Sequence, residues 1–99
     1  MRDYTSERLV IPSGLDFAAR AELTTAASLL IQHAHAEIEV DCSAITVVDD
    51  PTVGMLVWLT RNAQRRGISV VLDGTTPKLM RALEAAGVAD RFATRDPHV

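Results

Sequence analysis

The run Asp49-Asp50-Pro51-Thr52 sets two carboxylates and a hydroxyl side by side. Neighbouring carboxylates are the raw material of a metal site or an acid–base pair. A metal needs further oxygen ligands, however, and no spacing in the chain forces Asp16, Asp41 or Asp73 to join these two. The same four residues also make a helix start. Aspartate is a favoured cap, and proline suits the first helical position because its missing N–H had no intrahelical partner there. The N–H groups at such a start are unpaired and carry partial positive charge. A carboxylate or a phosphate is stabilised beside them. The run is therefore read as a charged helix start, with no metal and no cofactor expected.

The other reactive side chains are scattered. Cys42 is the single cysteine, so it forms neither an internal disulfide nor a cysteine-rich metal site, and its apolar neighbours point to an inert buried thiol. His33 and His35 fall at the end of a helix, where a cation meets the negative end of the dipole. They lack the i, i+4 spacing of a helical metal pair and read as solvated surface residues. His98 lies in the tail. No Gly-x-Ser-x-Gly, phosphate-binding glycine loop, His-Glu-x-x-His or Cys/His dyad occurs, so catalysis is not expected.

The chain has 99 residues, the size of one domain, with 47% hydrophobic and 23% charged residues. Its net charge of −3 argues against nucleic acid or an anionic membrane as partner, since both reward a basic surface. Arg65 and Arg66 are a local pair at a helix end. No apolar run approaches the roughly 20 residues of a membrane span, and Met1-Arg2-Asp3-Tyr4 has no apolar signal-peptide core. A cytoplasmic location is expected.

The elements that must hold the acidic run alternate. Arg8 to Ile11 reads as a strand closed by Pro12-Ser13-Gly14. Leu23, Ala26, Ala27, Leu30, Ile31 and Ala34 recur at helical spacing in an Ala-rich stretch, with Asp16 or a neighbour as cap. Glu37 to Cys42 alternates like a strand, and the β-branched Ile45-Thr46-Val47-Val48 extends or bends it. A second helix runs from the acidic start to about Arg66 and stops at Gly67. Ile68 to Leu72 is a strand of the kind buried in parallel sheets. Thr76-Pro77 opens a third helix with Leu79, Met80 and Leu83 inside and Gly87 at its end. Val88 to Phe92 is a short closing segment, and Thr94 to Val99 a frayed tail. This order predicts one α/β domain over residues 1–99, with a mostly parallel sheet of four to five strands and right-handed crossovers.

Several short motifs then narrow the choice of α/β fold. Gly14-Leu15-Asp16 with Ala18 and Glu22-Leu23 resembles the turn into the first helix of STAS domains, the anti-sigma-factor antagonist fold. Ile38-Glu39-Val40-Asp41 and Ile45-Thr46-Val47-Val48-Asp49 are similar to that family's apolar strand ending in aspartate. Val53-Gly54-Met55-Leu56 resembles the start of its second helix. Gly67 to Leu72, Thr76-Pro77-Lys78-Leu79, Leu83 to Val88 and Asp90-Arg91-Phe92 resemble its closing elements. The resemblance spans about residues 8 to 93. It implies a binding function for which the partner is either an anti-sigma kinase or, in a phosphorylation-independent subunit, the ATPase of a lipid-transporting ABC system. It leaves a homodimer open.

The acidic run departs from the family pattern. Signalling members carry Asp-Ser-Ser-Gly in this turn, and the first serine is phosphorylated. Here Asp50 stands at that serine's place, Pro51 replaces the second serine and Thr52 the glycine. Three readings of Asp50 stay open: a mimic of the phosphorylated state, an unswitchable binding site, or a helix cap alone. A carboxylate carries about −1 against roughly −1.5 to −2 for phosphoserine. Thr52 is a substitute phosphosite in principle. The family's first strand would fall within Arg2 to Thr5 or be missing.

At about 100° per residue, Val53, Leu56, Val57, Thr60 and Ala63 gather on the side of the second helix expected to meet the sheet. Met55, Trp58 and Asn62 fall opposite, with Leu59 at the edge. An exposed Met-Trp pair would anchor a partner, unless flanking helices cover the indole. The partner-binding set read from sequence and resemblance is thus Asp16, Asp49, Asp50, Thr52, Met55, Trp58 and Asn62.

Overall fold

The computed structural model describes residues 6–34 and 36–95. The elements are β1 (Ser6–Val10), α1 (Phe17–His33), β2 (Glu37–Asp41), α2 (Asp50–Arg65), β3 (Ser69–Asp73), α3 (Pro77–Ala85), a 3-10 turn (Ala89–Arg91) and β4 (Ala93–Arg95). The strands lie in the order β1-β2-β3-β4, and every neighbouring pair is parallel. Right-handed crossovers that all advance in one direction put their helices on one face of the sheet. The side chains agree with that. Leu9, Ile38, Val40, Val70 and Leu72 are buried and belong to one core with Leu23, Ala27 and Ile31 of α1, Leu56 and Leu59 of α2, and Leu79 and Leu83 of α3.

The opposite face is mostly polar, which is unusual for a parallel sheet, although Val71 is buried there and Val10 is exposed there. Arg8 crosses it, pairing with Glu39 at 3.1 Å and Asp41 at 2.8 Å, and approaching Asp73 at 3.9 Å. Register explains the meeting, because Arg8 sits beside Glu39, and Asp41 beside Asp73. Contact with Asp41 is also the main reason the guanidinium holds its proton more firmly than usual.

Two sequence expectations change. Ile45 to Val48 does not prolong β2. After Asp41 the chain turns away, with Asp41 Oδ1 accepting from the Ser43 N–H at 2.9 Å and the Ser43 hydroxyl at 2.6 Å. This local bonding outweighs the β-propensity of the following residues. Ile45 drops into the core, while Val47 stays 57% exposed. The expected tail begins instead with a strand, since Ala93–Arg95 pairs with Val71–Asp73. The strand entertained at Arg2 to Thr5 lies outside the described residues, as do His35 and His98.

Candidate functional site: the acidic helix start and its grooves

The start of α2 divides the work between its two aspartates. Asp49 is the cap: its Oδ1 accepts from the Thr52 N–H at 3.1 Å and from the Thr52 hydroxyl at 2.7 Å. The Thr52 hydroxyl, then its N–H, hold the Asp49 carboxyl below the usual carboxylate range. The cap is therefore one residue earlier than aspartate-then-proline implies, and Asp50 is already helical. The Asp50 side chain is exposed and makes no hydrogen bond or ion pair among the described residues. A cap-only role for Asp50 is thereby corrected, because the neighbouring carboxylate already does the capping.

Thr52 is fully buried, and its hydroxyl is engaged by Asp49. It offers no accessible atom to a kinase in this conformation, which corrects the substitute phosphosite. Asp16 caps α1 in the same manner, accepting from the Ala19 N–H at 2.8 Å, and remains exposed.

The two loops that carry these caps are stitched together. Ser13 Oγ lies 2.9 Å from Thr46 Oγ1 and accepts from the Thr46 N–H at 3.1 Å. They leave Phe17, 83% exposed, and Val47 as apolar points on the end of the domain that carries Asp50. The sequence reading missed both. Phe17 occupies the first helical position after its cap, where a side chain has no preceding turn to lie on. Val47 was hidden inside a run read as strand.

On α2 the buried arc is rotated from the expected one. Thr52, Leu56, Leu59, Thr60 and Ala63 are buried, Met55 is buried with them, and Val53 and Val57 are only half-buried. Met55 is thus not half of an exposed Met-Trp pair, and Leu59 is core rather than edge. The cause is that α2 packs on α1 as well as on β3, so the α1 side of the helix is covered too. Trp58 is half-buried against the core, and Asn62 donates to the Trp58 carbonyl at 2.8 Å.

Trp58 walls two open grooves between α1 and α2. One, of about 440 Å³, runs past Arg20, Thr24, Gly54 and Asp50. The other, of about 300 Å³, is edged by Ser28, Gln32, Arg65 and Arg66. Of the partner-binding set, Asp50, the buried Met55 and Trp58 line one groove together, Trp58 and Asn62 border the other, and Asp16 lies on the adjoining loop. Among the described residues, no three His, Cys, Asp or Glu side chains are placed to share a metal ion.

Fold and site first define a class: a one-sided α/β domain that displays a charged helix start where its parallel strands end. The family follows. The family model described as "Mlab, STAS domain" matches residues 3–94, and the chain belongs to the STAS domain family. Among solved structures it is similar to a serine-to-glutamate form of Moorella thermoacetica RsbS, with TM-score 0.77, 22% identity, and coverage of 96% of this chain and 84% of that one. A structure of the stressosome, described as a signal integration and transduction hub, matches with TM-score 0.77, 23% identity, and 95% and 84% coverage. A sulfate transporter family protein from Wolinella succinogenes matches with TM-score 0.72, 18% identity, and 91% and 73% coverage. At these identities the likeness speaks for the fold. No curated protein matches the chain.

Proposed function

We propose that this STAS domain is a non-catalytic docking module that binds a protein partner through the end carrying Phe17, Val47 and Asp50. The observation that carries the reading is the spare carboxylate. Asp50 is exposed and unengaged, among the described residues, at a helix N-terminus whose capping is done by Asp49. Its charge is permanent, so docking here does not wait on a serine kinase. The leading partner is an anti-sigma kinase-type ATPase, with the domain as an antagonist lacking the serine switch. Membership of a generally regulatory family and likeness to stressosome proteins support that reading. The alternative is an ABC ATPase, favoured by the absence of a serine from the turn.

The test is affinity capture from the native host with the wild-type chain and the Asp50→Lys variant as baits. Recovery of a histidine-kinase-like ATPase by wild type alone supports the regulator, and recovery of an ABC ATPase the transporter subunit. Equal recovery by both baits, or of neither ATPase, refutes the docking site.

A further inference from the structure

We propose that α2 is self-complementary, and that two copies of this chain pair through it, antiparallel, about a two-fold axis passing between Val57 and Trp58. The outward stripe of α2 reads Asp50, Gly54, Val57, Trp58, Arg61 and Arg65. Asp50, Gly54, Arg61 and Arg65 are exposed, and Val57 and Trp58 are half-buried. Steps of three and four residues keep them along one face.

Charge is segregated along this stripe, with a carboxylate at one end, two guanidinium groups at the other, and apolar side chains in the middle. Among the described residues, no ion pair or side-chain hydrogen bond engages Asp50, Arg61 or Arg65. The proposed axis sets Asp50 opposite Arg65 of the second copy, Gly54 opposite Arg61, and Val57 opposite Trp58. At 1.5 Å per residue, Asp50 and Arg65 each lie roughly 11 Å from the midpoint, so both ion pairs can form together.

Gly54 supplies the room. Nothing lies within 4 Å of the place its Cβ would occupy, which leaves space for the stem of the facing Arg61. The half-buried indole gives the centre an aromatic anchor. A parallel approach would set Asp50 against Asp50 and arginines against arginines, so the charge order selects the antiparallel pair. The contact is isologous, the commonest form of homodimer. It would also cover Asp50, so a second copy and another docked protein would compete for that end. The inference is read without any other protein, so it fails separately from the docking function.

Sedimentation equilibrium of the full chain over rising concentration is the test. The wild type should dimerise, less tightly at high salt, and emission from Trp58, its single tryptophan, should shift to the blue as the dimer forms. Asp50→Arg alone and Arg65→Asp alone each place like charges at both ends of the contact. Each should raise the dissociation constant on the order of a hundredfold. An equimolar mixture of the two variants should regain dimer, because in the mixed pair both ends again oppose unlike charges. Circular dichroism of each variant confirms folding before mixing. A monomeric wild type, single variants that dimerise as well as wild type, or a mixture that stays monomeric each overturns the proposal.

Discussion

Gly74 closes β3 against the turn that follows β2, and replacing it with alanine tests how tightly that junction is built. Its φ is +73°, and an added Cβ would lie 2.8 Å from Ser43 Cβ, 2.9 Å from Ser43 N and 3.0 Å from Ser43 Cα. Two of those three atoms are backbone, so no rotamer change relieves the contact. Ser43 cannot retreat freely either, since its N–H and hydroxyl both bond Asp41 Oδ1. Left-handed strain for a non-glycine residue costs about 1 kcal/mol, and overpacking adds typically about 1–3 kcal/mol. A total near 3 kcal/mol is a large share of the roughly 5–15 kcal/mol that stabilises a domain. At about 4–8 °C per kcal/mol, Gly74→Ala should lower Tm by roughly 12–24 °C. The control is Gly14→Ala, where φ is +75° but nothing lies within 4 Å of the new Cβ. It carries only the conformational strain and should lose roughly 5 °C. Thermal melts by circular dichroism read both variants. Equal losses would refute the steric argument and leave backbone strain as the whole effect.

Thr60 is fully buried, and its hydroxyl finds no partner among the described residues. Thr60→Val should therefore raise stability by about 1 kcal/mol in urea denaturation, since it removes an unmet polar group at nearly constant shape. Ser43 holds the Asp41 carboxyl below its ordinary range, with Arg8 adding to the effect, and Thr52 does the same for Asp49. Lowered folded-state values mean that the unfolded chain binds more protons in acid. Their contribution is thus present above about pH 4 and lost as pH falls through the folded values. Melts from about pH 5 downward should show Tm falling, with a shallower slope in Thr52→Val. Burial, with Asp41 and Asp73 nearby, pushes the Cys42 thiol up to about 12. It should resist iodoacetamide near pH 8 in the native state and react promptly in guanidinium, as mass spectrometry would show.

Strong local signals were readable in the residues. Thr76-Pro77 does open α3, with the Thr76 hydroxyl accepting from the Leu79 N–H. Asp16 caps α1, and Gly67 ends α2, followed by a bond from Ile68 N to the Ala63 carbonyl. Each depends on neighbours within five positions, which is the range over which composition speaks. What failed depends on distant partners. Val47 looks like a strand residue until Ser43 turns the chain back on Asp41. Ala93 to Arg95 looks like a tail until Val71 to Asp73 offers it an edge. Met55 looks outward on a helical wheel until α1 arrives on that side. No periodicity within α2 announces where a second helix will lie, so a wheel places the centre of a buried arc better than its edges.

The two aspartates show the same limit at the scale of a single site. Asp49 and Asp50 are chemically identical neighbours, and the rule of a cap directly before proline points to Asp50, whereas the cap is Asp49. The choice falls on Asp49 because Thr52 can then turn its hydroxyl to the same oxygen that its N–H reaches, while its own side chain is fully buried. That arrangement fixes Thr52 as an internal brace and moves Asp50 one step outward, into solvent and onto the stripe that ends in Arg65. Had Asp50 been the cap, its carboxylate would be turned inward over the first turn and unavailable to anything outside. The displayed charge on which the proposed docking and the proposed self-pairing both rest thus follows from one buried threonine. Thr52→Gly, which deletes the brace but keeps the N–H, should loosen the choice between the two aspartates and weaken both kinds of association together. An association that survives this change undiminished would mean that the displayed carboxylate is not what either surface reads.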